Sequence, residues 1–232
     1  MIQERGGREL KIAVMAGTPV DTGMGVLLLR KDGFSEMIEI PVSETPAEQT
    51  VFQVSAAEHK ERVINAHVDN AEKQECDVLF VYCNSLSGAV DFKKISEERN
   101  MRIVTPLEVY EEMALYYRNI AIISANAQGL AGIERVMFSR NKDIVITGVT
   151  LLEMVKEIEK GTAPCEIAEK FNFSGLLEYF RAMGSEAVVL GCTHFPYIRE
   201  EMERLADVEI IDPGIRMAEK VFGKGSRDKG KL

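Results

Sequence analysis

The sequence predicts an α/β protein of two similar lobes, each a mostly parallel sheet flanked by helices, with an active-site cleft between them. Apolar runs of strand length alternate along the chain with stretches of helical periodicity, as is typical of buried parallel sheets. Two of these runs end alike, in a cysteine followed by a helical stretch, at Cys83 and Cys192. A Thr-Pro-x-Glu helix start also occurs twice, at 45–48 and 105–108. We therefore expect a first lobe over residues 1–102 and a second lobe over 103–211.

Composition argues against several classes of function. The 232 residues are 46 % hydrophobic and carry a formal net charge of −9, without a cluster of lysine and arginine among aromatic residues. The electrostatic footprint of nucleic-acid binding is therefore missing, and a small-molecule partner is expected. No apolar run approaches the roughly 18 residues of a membrane span, and the first residues lack the apolar stretch of a signal peptide. With four cysteines and no CxxC pair, we expect a cytoplasmic protein with reduced thiols and no membrane association.

In the first lobe, strands are predicted at 11–17, 38–41 and 77–82. Glycines 17, 23 and 25 follow the first strand, and their conformational freedom favours a loop whose N–H groups grip an anion. The first Thr-Pro-x-Glu segment begins one long helix that ends near residue 73, with an apolar face that includes Val51 and Val54. The helix after Cys83 is expected from 86 to 99. His59 and His67 have no carboxylates or cysteines at ligand spacing, so no metal site is expected.

The rest of the chain repeats this alternation. A strand at 102–106 leads into the second Thr-Pro-x-Glu segment and a helix with an apolar face. Further strands are predicted at 119–124, 143–149, 188–191 and 208–212. Further helices are predicted at 150–161, 163–183, 197–205 and from 213 to near Phe222. The composition of 223–232 is that of a disordered tail.

Cys83 and Cys192 are predicted at the carboxyl ends of buried strands, where the N–H groups of a following helix point outward. A helix start favours the thiolate and lowers a thiol pKa from its usual value of about 8.5, so that the sulfur can act as a base or nucleophile. Either cysteine alone is also consistent with a small core residue. The occurrence of both cysteines at equivalent positions, each between a strand and a helix, favours a functional role. Cys165 has no strand leading into it and is interpreted as structural.

The segments GCTHFP at 191–196 and CNSLSG at 83–88 resemble the two signature segments of the cofactor-independent aspartate/glutamate racemase family, nearest to its glutamate racemases. The resemblance spans most of the chain. The segment IDPG at 211–214 resembles the family's segment that returns the chain to the first lobe, which implies that residues 212–232 complete that lobe. It implies an isomerase that inverts an amino-acid α-carbon without pyridoxal phosphate or metal, with Cys83 and Cys192 on opposite faces of the substrate. It also implies a homodimer, with a role in cell-wall supply or in amino-acid breakdown.

The same resemblance implies roles for other residues. Asp21 would assist the nearer cysteine, Glu159 would support the second, and His194 would act on the substrate amine or on Cys192. Substrate contacts would come from Thr22, Asn84, Ser85, Thr193, Asn126 and Gln128. Asp21 and Thr22 could instead only cap the following helix, and Glu159 could be a solvated carboxylate in a last helical turn.

Two thiols suit this reaction because inversion needs a base on one face of the α-carbon and an acid on the other. A Cys/His hydrolase would use Cys192 with His194, but no orienting residue is evident and Cys83 is left unexplained. A zinc site would need two more ligands, and a substrate-sized gap would keep the thiols from forming a redox pair. The Pro-Tyr-Gly segment of glutamate racemases is represented only by Pro41. Aspartate or another amino acid is therefore an alternative to glutamate, as is a non-catalytic member that binds an amino acid.

Overall fold

Ten strands and a larger number of helices alternate through the described part of the chain. The structure is a computed structural model that describes residues 4–5 and 8–221. The strands are β1 Glu4–Arg5, β2 Arg8–Glu9, β3 Ile12–Ala16, β4 Met37–Pro41, β5 Val78–Val81, β6 Arg102–Val104, β7 Asn119–Ser124, β8 Val145–Thr150, β9 Ala187–Gly191 and β10 Glu209–Ile211. The helices are α1 Pro19–Lys31, α2 Pro46–Val54, α3 Ala57–Lys73, α4 Asn84–Ala89, α5 Phe92–Arg99, α6 Pro106–Met113, α7 Ala127–Arg140, α8 Leu152–Glu159, α9 Pro164–Lys170, α10 Phe173–Ala182, α11 Arg199–Leu205 and α12 Pro213–Val221, with a 3₁₀ helix at Phe195–Ile198.

The two main sheets are parallel and have the same topology. The first has the strand order β4-β3-β5-β6 and the second the order β8-β7-β9-β10, so in each the first strand along the chain lies between the second and the third. The strands β3, β5 and β9 are buried along their whole length because helices cover both faces of each sheet. The predicted class, two similar α/β lobes, is confirmed.

The lobes meet where α4 of the first crosses α7 of the second. A Cβ built on Gly132 would lie 2.8 Å from the Cα of Gly88, so the two backbones are almost in contact. One hydrophobic core continues across this crossing, from Leu86 in α4 to Ile133 and Met137 in α7. The crossing therefore fixes how the two sheets face each other.

The helix predicted from 46 to 73 is divided into α2 and α3. Ser55 has an extended backbone, with ψ of 167°, and its N–H and hydroxyl both donate to the Phe52 carbonyl at the end of α2. The apolar face assigned to this stretch is also wrong at Val51 and Val54, which are exposed. The buried face of α2 is instead partly polar.

Two other helices predicted as continuous are divided. The stretch 86–99 contains α4 and α5, because the Asp91 side chain accepts the Lys94 N–H and begins a new helix. The stretch 163–183 contains α9 and α10, which are separated at Asn172. This residue has a left-handed backbone, with φ of 47°, and its side chain caps α10.

The glycine-rich loop predicted after β3 is mostly helix, and the N–H groups of Gly17 and Thr18 bind the Asp21 carboxylate of the same chain. Helix α1 begins at Pro19, so Gly23 and Gly25 are helical, and neither they nor Gly17 has a positive φ. Gly25 serves packing instead, since a Cβ there would lie 2.9 Å from the Val14 side chain.

The predicted boundary after residue 102 lies inside β6, which pairs with β5 in the first sheet. The returning helix α12 packs against α1 and α6. Phe222 and the predicted tail at 223–232 lie outside the described residues. The extent of the two lobes as units stays a prediction.

Among residues 4–5 and 8–221, no helix combines the length and apolar character that a membrane crossing would require. The same residues contain no group of three or more histidine, cysteine, aspartate or glutamate side chains arranged to hold a metal ion.

Candidate active site

A small cavity lies between the carboxyl ends of the two sheets. Its volume is about 30 Å³, and the turns after β3, β5, β7 and β9 all contribute to its wall. Eight residues predicted for the site line it: Asp21, Cys83, Asn84, Ser85, Asn126, Cys192, Thr193 and His194. The space holds about two water molecules.

Cys83 follows β5 and begins α4. Its sulfur lies 3.5 Å from Ser85 Oγ and 3.8 Å from Gln49 Nε2. Burial raises the pKa of the Cys83 thiol, and the Asp21 carboxylate adds to this effect, bringing the pKa to about 12. The prediction that a helix start lowers this pKa is therefore wrong for Cys83. The loss of hydration outweighs the donors at the start of α4, which has 6 residues.

Cys192 follows β9 and lies beside His194. The chain turns from Cys192 into the 3₁₀ helix and then enters α11, so the helical stretch predicted at 197–205 begins as a 3₁₀ helix. The sulfur is 3.7 Å from Nδ1 of His194. Burial alone would lower the pKa of His194, but its hydrogen bonds to Cys192 and Glu159, together with the charge of Asp21, raise it to about 10. At neutral pH, His194 is therefore an imidazolium with one N–H directed at the sulfur.

Glu159 lies behind His194, away from the cavity wall. Its Oε1 accepts from Nε2 of His194 at 2.9 Å and from the Thr18 hydroxyl at 2.8 Å. Burial raises the pKa of this carboxyl, but the two hydrogen bonds outweigh it, so the pKa of Glu159 is lowered. The last turn of a helix disfavours a carboxylate, and these two bonds stabilise it there. The bond to Thr18 also joins the second lobe to the first.

Asp21 both caps α1 and lines the cavity. It accepts the N–H groups of Gly17 at 3.2 Å and Thr18 at 2.6 Å, as an acidic residue in a capping box does. The Thr193 hydroxyl donates at 3.4 Å to Oδ2 of Asp21, the oxygen that also accepts the Gly17 N–H. Burial raises the pKa of Asp21, against the opposing effects of His194 and the N–H donors. The sequence offered Asp21 as a residue of the site or as a cap of the following helix, and the structure is compatible with both.

Two residues predicted to bind substrate do not line the cavity. Thr22 is fully buried and donates its hydroxyl to the Thr18 carbonyl at 2.7 Å. Gln128 is half-buried in the first turn of α7. Asn126 takes the cavity position in that turn, because its side chain caps α7 by accepting the Gly129 N–H at 2.9 Å.

Two buried glutamines of α2 line the cavity and were not predicted from the sequence. Gln49 is 6 % exposed and Gln53 is 3 % exposed. They are four residues apart and share one helix face. Two glutamines at a spacing of four residues could have indicated a polar face directed at the site. The apolar side chains of Val51 and Val54 instead indicated that the opposite face of the helix is buried.

The fold and the paired cysteines place the chain in a known class of proteins. It belongs to the Asp/Glu/Hydantoin racemase family, whose family model matches residues 41–221. This confirms the family predicted from the sequence. The matched residues include both cysteines, Glu159 and His194, whereas Asp21 and Thr22 precede the matched segment.

Individual relatives are glutamate racemases. The one from Fusobacterium nucleatum is 26 % identical over 170 residues, which are 70 % of this chain and 60 % of that protein, so the match spans about three fifths of the relative. A solved glutamate racemase from Bacillus anthracis has a TM-score of 0.71 at 14 % identity, covering 92 % of this chain and 80 % of that one. Another, from Francisella tularensis in complex with D-glutamate, has a TM-score of 0.66 at 19 % identity, with coverage of 92 % and 80 %. At such identities the structural likeness shows a shared fold.

Proposed function

We propose that this protein is a cofactor-independent amino-acid racemase that inverts the α-carbon of glutamate, with Cys83 and Cys192 as the two acid/base groups. The observation that supports this best is one cavity lined by a buried cysteine from each lobe. Each cysteine follows the third strand of its sheet, so the two positions are equivalent in the two lobes. Inversion needs a base and an acid on opposite faces of one carbon atom, and membership of a racemase family supports the same reaction.

One direction of the proposed reaction starts with Cys192 as the thiolate and Cys83 as the thiol. The His194 imidazolium lies 3.7 Å from the Cys192 sulfur and stabilises negative charge there. Cys83, whose pKa is about 12, keeps its proton at neutral pH. Cys192 therefore removes the α-proton of one enantiomer, and Cys83 gives its proton to the opposite face of the carbanion. The step leaves a Cys192 thiol and a Cys83 thiolate, so the reverse reaction uses the same groups with exchanged roles.

Hydrogen-bond donors around the cavity would stabilise the carbanion through the α-carboxylate. The carbonyl of the Asn84 side chain accepts from the Tyr110 hydroxyl at 2.6 Å, which leaves its NH₂ group for the substrate. The hydroxyl oxygens of Ser85 and Thr193 border the same space and would accept N–H groups of the substrate amine, since their protons are directed at Cys83 and Asp21. We propose these three residues as the substrate contacts nearest to the reacting carbon.

Glutamate is the proposed substrate because the relative from Fusobacterium nucleatum is a glutamate racemase, and the glutamate racemase from Francisella tularensis, which shares this fold, was solved in complex with D-glutamate. The segment that is Pro-Tyr-Gly in glutamate racemases is Pro41-Val42-Ser43 here, and Ser43 donates its hydroxyl to Gln49 at 3.1 Å. Within the described part of the chain, no lysine or arginine lines the cavity. The side-chain carboxylate of glutamate would therefore be bound by neutral hydrogen-bond donors such as Gln49. Aspartate and hydantoins, which the family description covers, are the alternatives, as is a member that binds an amino acid without turning it over.

We also propose, from the family resemblance, that the protein is a homodimer that needs no cofactor, and, from its four cysteines without a CxxC pair, that it acts in the cytoplasm. Sedimentation of the purified chain tests the oligomeric state. Activity of protein that has been dialysed against a chelator and freed of pyridoxal phosphate tests the cofactor requirement.

Incubation with single enantiomers in D₂O, followed by NMR of the α-proton and by optical rotation, tests the reaction. Glutamate is expected to lose its α-proton and its optical rotation together, and the panel extends to aspartate and a 5-substituted hydantoin. Cys83→Ser and Cys192→Ser are each expected to abolish racemisation. Cys165→Ser, at an exposed cysteine that does not line the cavity, is the matched control and should keep it.

The outcomes separate the alternatives. Absence of exchange across the whole panel would favour binding without catalysis. Wild-type turnover in either cavity variant would contradict the two-cysteine mechanism.

A further inference from the structure

Gln53 connects the two lobes at the edge of the cavity. Its side chain lies on α2 in the first lobe, and its Nε2 donates to Ser85 Oγ at 2.6 Å. Its Oε1 accepts from Nδ2 of Asn126, in the second lobe, at 2.9 Å. The Ser85 oxygen lies in turn 3.5 Å from the sulfur of Cys83. A series of hydrogen bonds thus runs from the second lobe, through Gln53, to a cysteine of the first lobe.

A backbone N–H fixes the direction of this series. The Gly129 N–H donates to Oδ1 of Asn126 at 2.9 Å, and because a backbone N–H can only donate, the other end of the Asn126 amide must be its NH₂ group. Gln53 then presents its oxygen to Asn126 and its nitrogen to Ser85. Since the Ser85 oxygen accepts this bond, the Ser85 proton is available for the Cys83 sulfur.

We propose that Gln53 is a positioning residue that directs the Ser85 proton at Cys83, and that it does so only while Asn126 of the second lobe holds its carboxamide in place. This inference rests on the proposed racemase function, in which Cys83 becomes a thiolate each time it gives up its proton. A hydrogen bond to the sulfur stabilises that thiolate. Burial raises the pKa of Cys83, and the bond from Ser85 is the largest of the effects that lower it.

A purely structural role for Gln53 would have the opposite effect on the reactivity of Cys83. If the side chain only held the lobes together, its removal would open the cavity and make both cysteines more accessible. If it directs the Ser85 proton, its removal makes the Cys83 thiolate rarer and leaves Cys192 unaffected. The ratio of reactivity at the two sulfurs therefore separates the two roles.

Alkylation by iodoacetamide measures this ratio without any need for turnover. The label at Cys83 and at Cys192 is quantified by mass spectrometry at low conversion and a fixed, mildly alkaline pH. Both cysteines line the same cavity, so a change in access affects both. In Gln53→Leu, the ratio of Cys83 to Cys192 labelling is expected to fall about tenfold, because the loss of one hydrogen bond to a thiolate shifts its pKa by about one unit.

Two further variants complete the experiment. Asn126→Ser keeps a good helix-capping side chain but is too short to reach Gln53, so the ratio should fall in the same direction by a smaller factor. Gln74→Leu makes the same substitution at an exposed glutamine after α3 and should keep the wild-type ratio. A ratio in Gln53→Leu that equals or exceeds that of the wild type would overturn the inference. A fall in the ratio in a protein that racemises nothing would overturn the proposed function and leave the geometry at Cys83 supported.

Discussion

The contact between Gly88 and Gly132 sets how closely the two lobes approach. A Cβ on Gly132 would lie 2.8 Å from the Cα of Gly88, whereas ordinary van der Waals contact begins at 3.4 Å. The atom that would be struck belongs to the backbone, so no side chain can turn away. In a Gly132→Ala variant, α4 and α7 must therefore separate by several tenths of an ångström.

This separation should lower the free energy of unfolding. Overpacking a close contact costs about 2 kcal/mol, and the higher helix propensity of alanine offsets roughly 1 kcal/mol, so a net loss near 1 kcal/mol is expected. Gly23→Ala is the matched control, since Gly23 is also helical but a Cβ there would meet nothing within 4 Å. That variant should gain about 1 kcal/mol.

Urea denaturation of both variants, with the m-value checked for constancy, measures the difference. The difference between the two changes in the free energy of unfolding cancels the effect of helix propensity, so that it gives the cost of the contact between the lobes. Equal stability of Gly132→Ala and Gly23→Ala would refute the reasoning. Since the cavity lies between the same lobes, Gly132→Ala should also reduce turnover.

Two other substitutions test the surroundings of the cysteines. Glu159→Gln removes the carboxylate that accepts the N–H of His194, so the pKa of His194 should fall below about 10. The alkaline limb of the pH profile of kcat/KM should then move to lower pH. If that limb stays in place, His194 is not its origin. Because the folded-state pKa of His194 is raised, its contribution to stability is complete below the unfolded pKa of about 6.5 and is lost as the pH rises through about 10. In Glu159→Gln, the free energy of unfolding measured in urea should depend less on pH over this range. Tyr110→Phe leaves the buried side-chain carbonyl of Asn84 without its hydrogen-bond donor. Thermal unfolding should show a loss of about 1–2 kcal/mol in stability, and KM should rise. Wild-type stability together with a wild-type KM would contradict the proposed contact between Asn84 and the substrate.

The strands and the two cysteine positions could be predicted because they depend on local patterns. A strand buried on both faces needs apolar side chains at every position, so β3, β5, β7 and β9 lie where their apolar runs indicated. Cys83 and Cys192 directly follow two of those runs, and parallel strands bring their carboxyl ends to the same edge of a sheet. The family signature then connected the two positions to one reaction.

The features that were missed depend on packing between distant segments. The break at Asn172 requires one residue to adopt a left-handed backbone, which no apolar periodicity reveals. The buried face of α2 carries Gln49 and Gln53 because Ser85 and Asn126 supply their partners from elsewhere in the chain. The pKa of Cys83 was predicted in the wrong direction because burial and the distant Asp21 decide it, rather than the helix that follows.

Enantiomer-selective exchange in the two serine variants tests the two-cysteine mechanism most directly. Cys192→Ser retains Cys83 as its only thiol base in the cavity, and Cys83→Ser retains Cys192. Each variant, incubated in D₂O with single enantiomers of the substrate, should exchange the α-proton of one enantiomer without inverting it, and the two variants should select opposite enantiomers. Exchange of the same enantiomer by both variants, or of both enantiomers by one, would contradict the placement of the two sulfurs on opposite faces of the α-carbon.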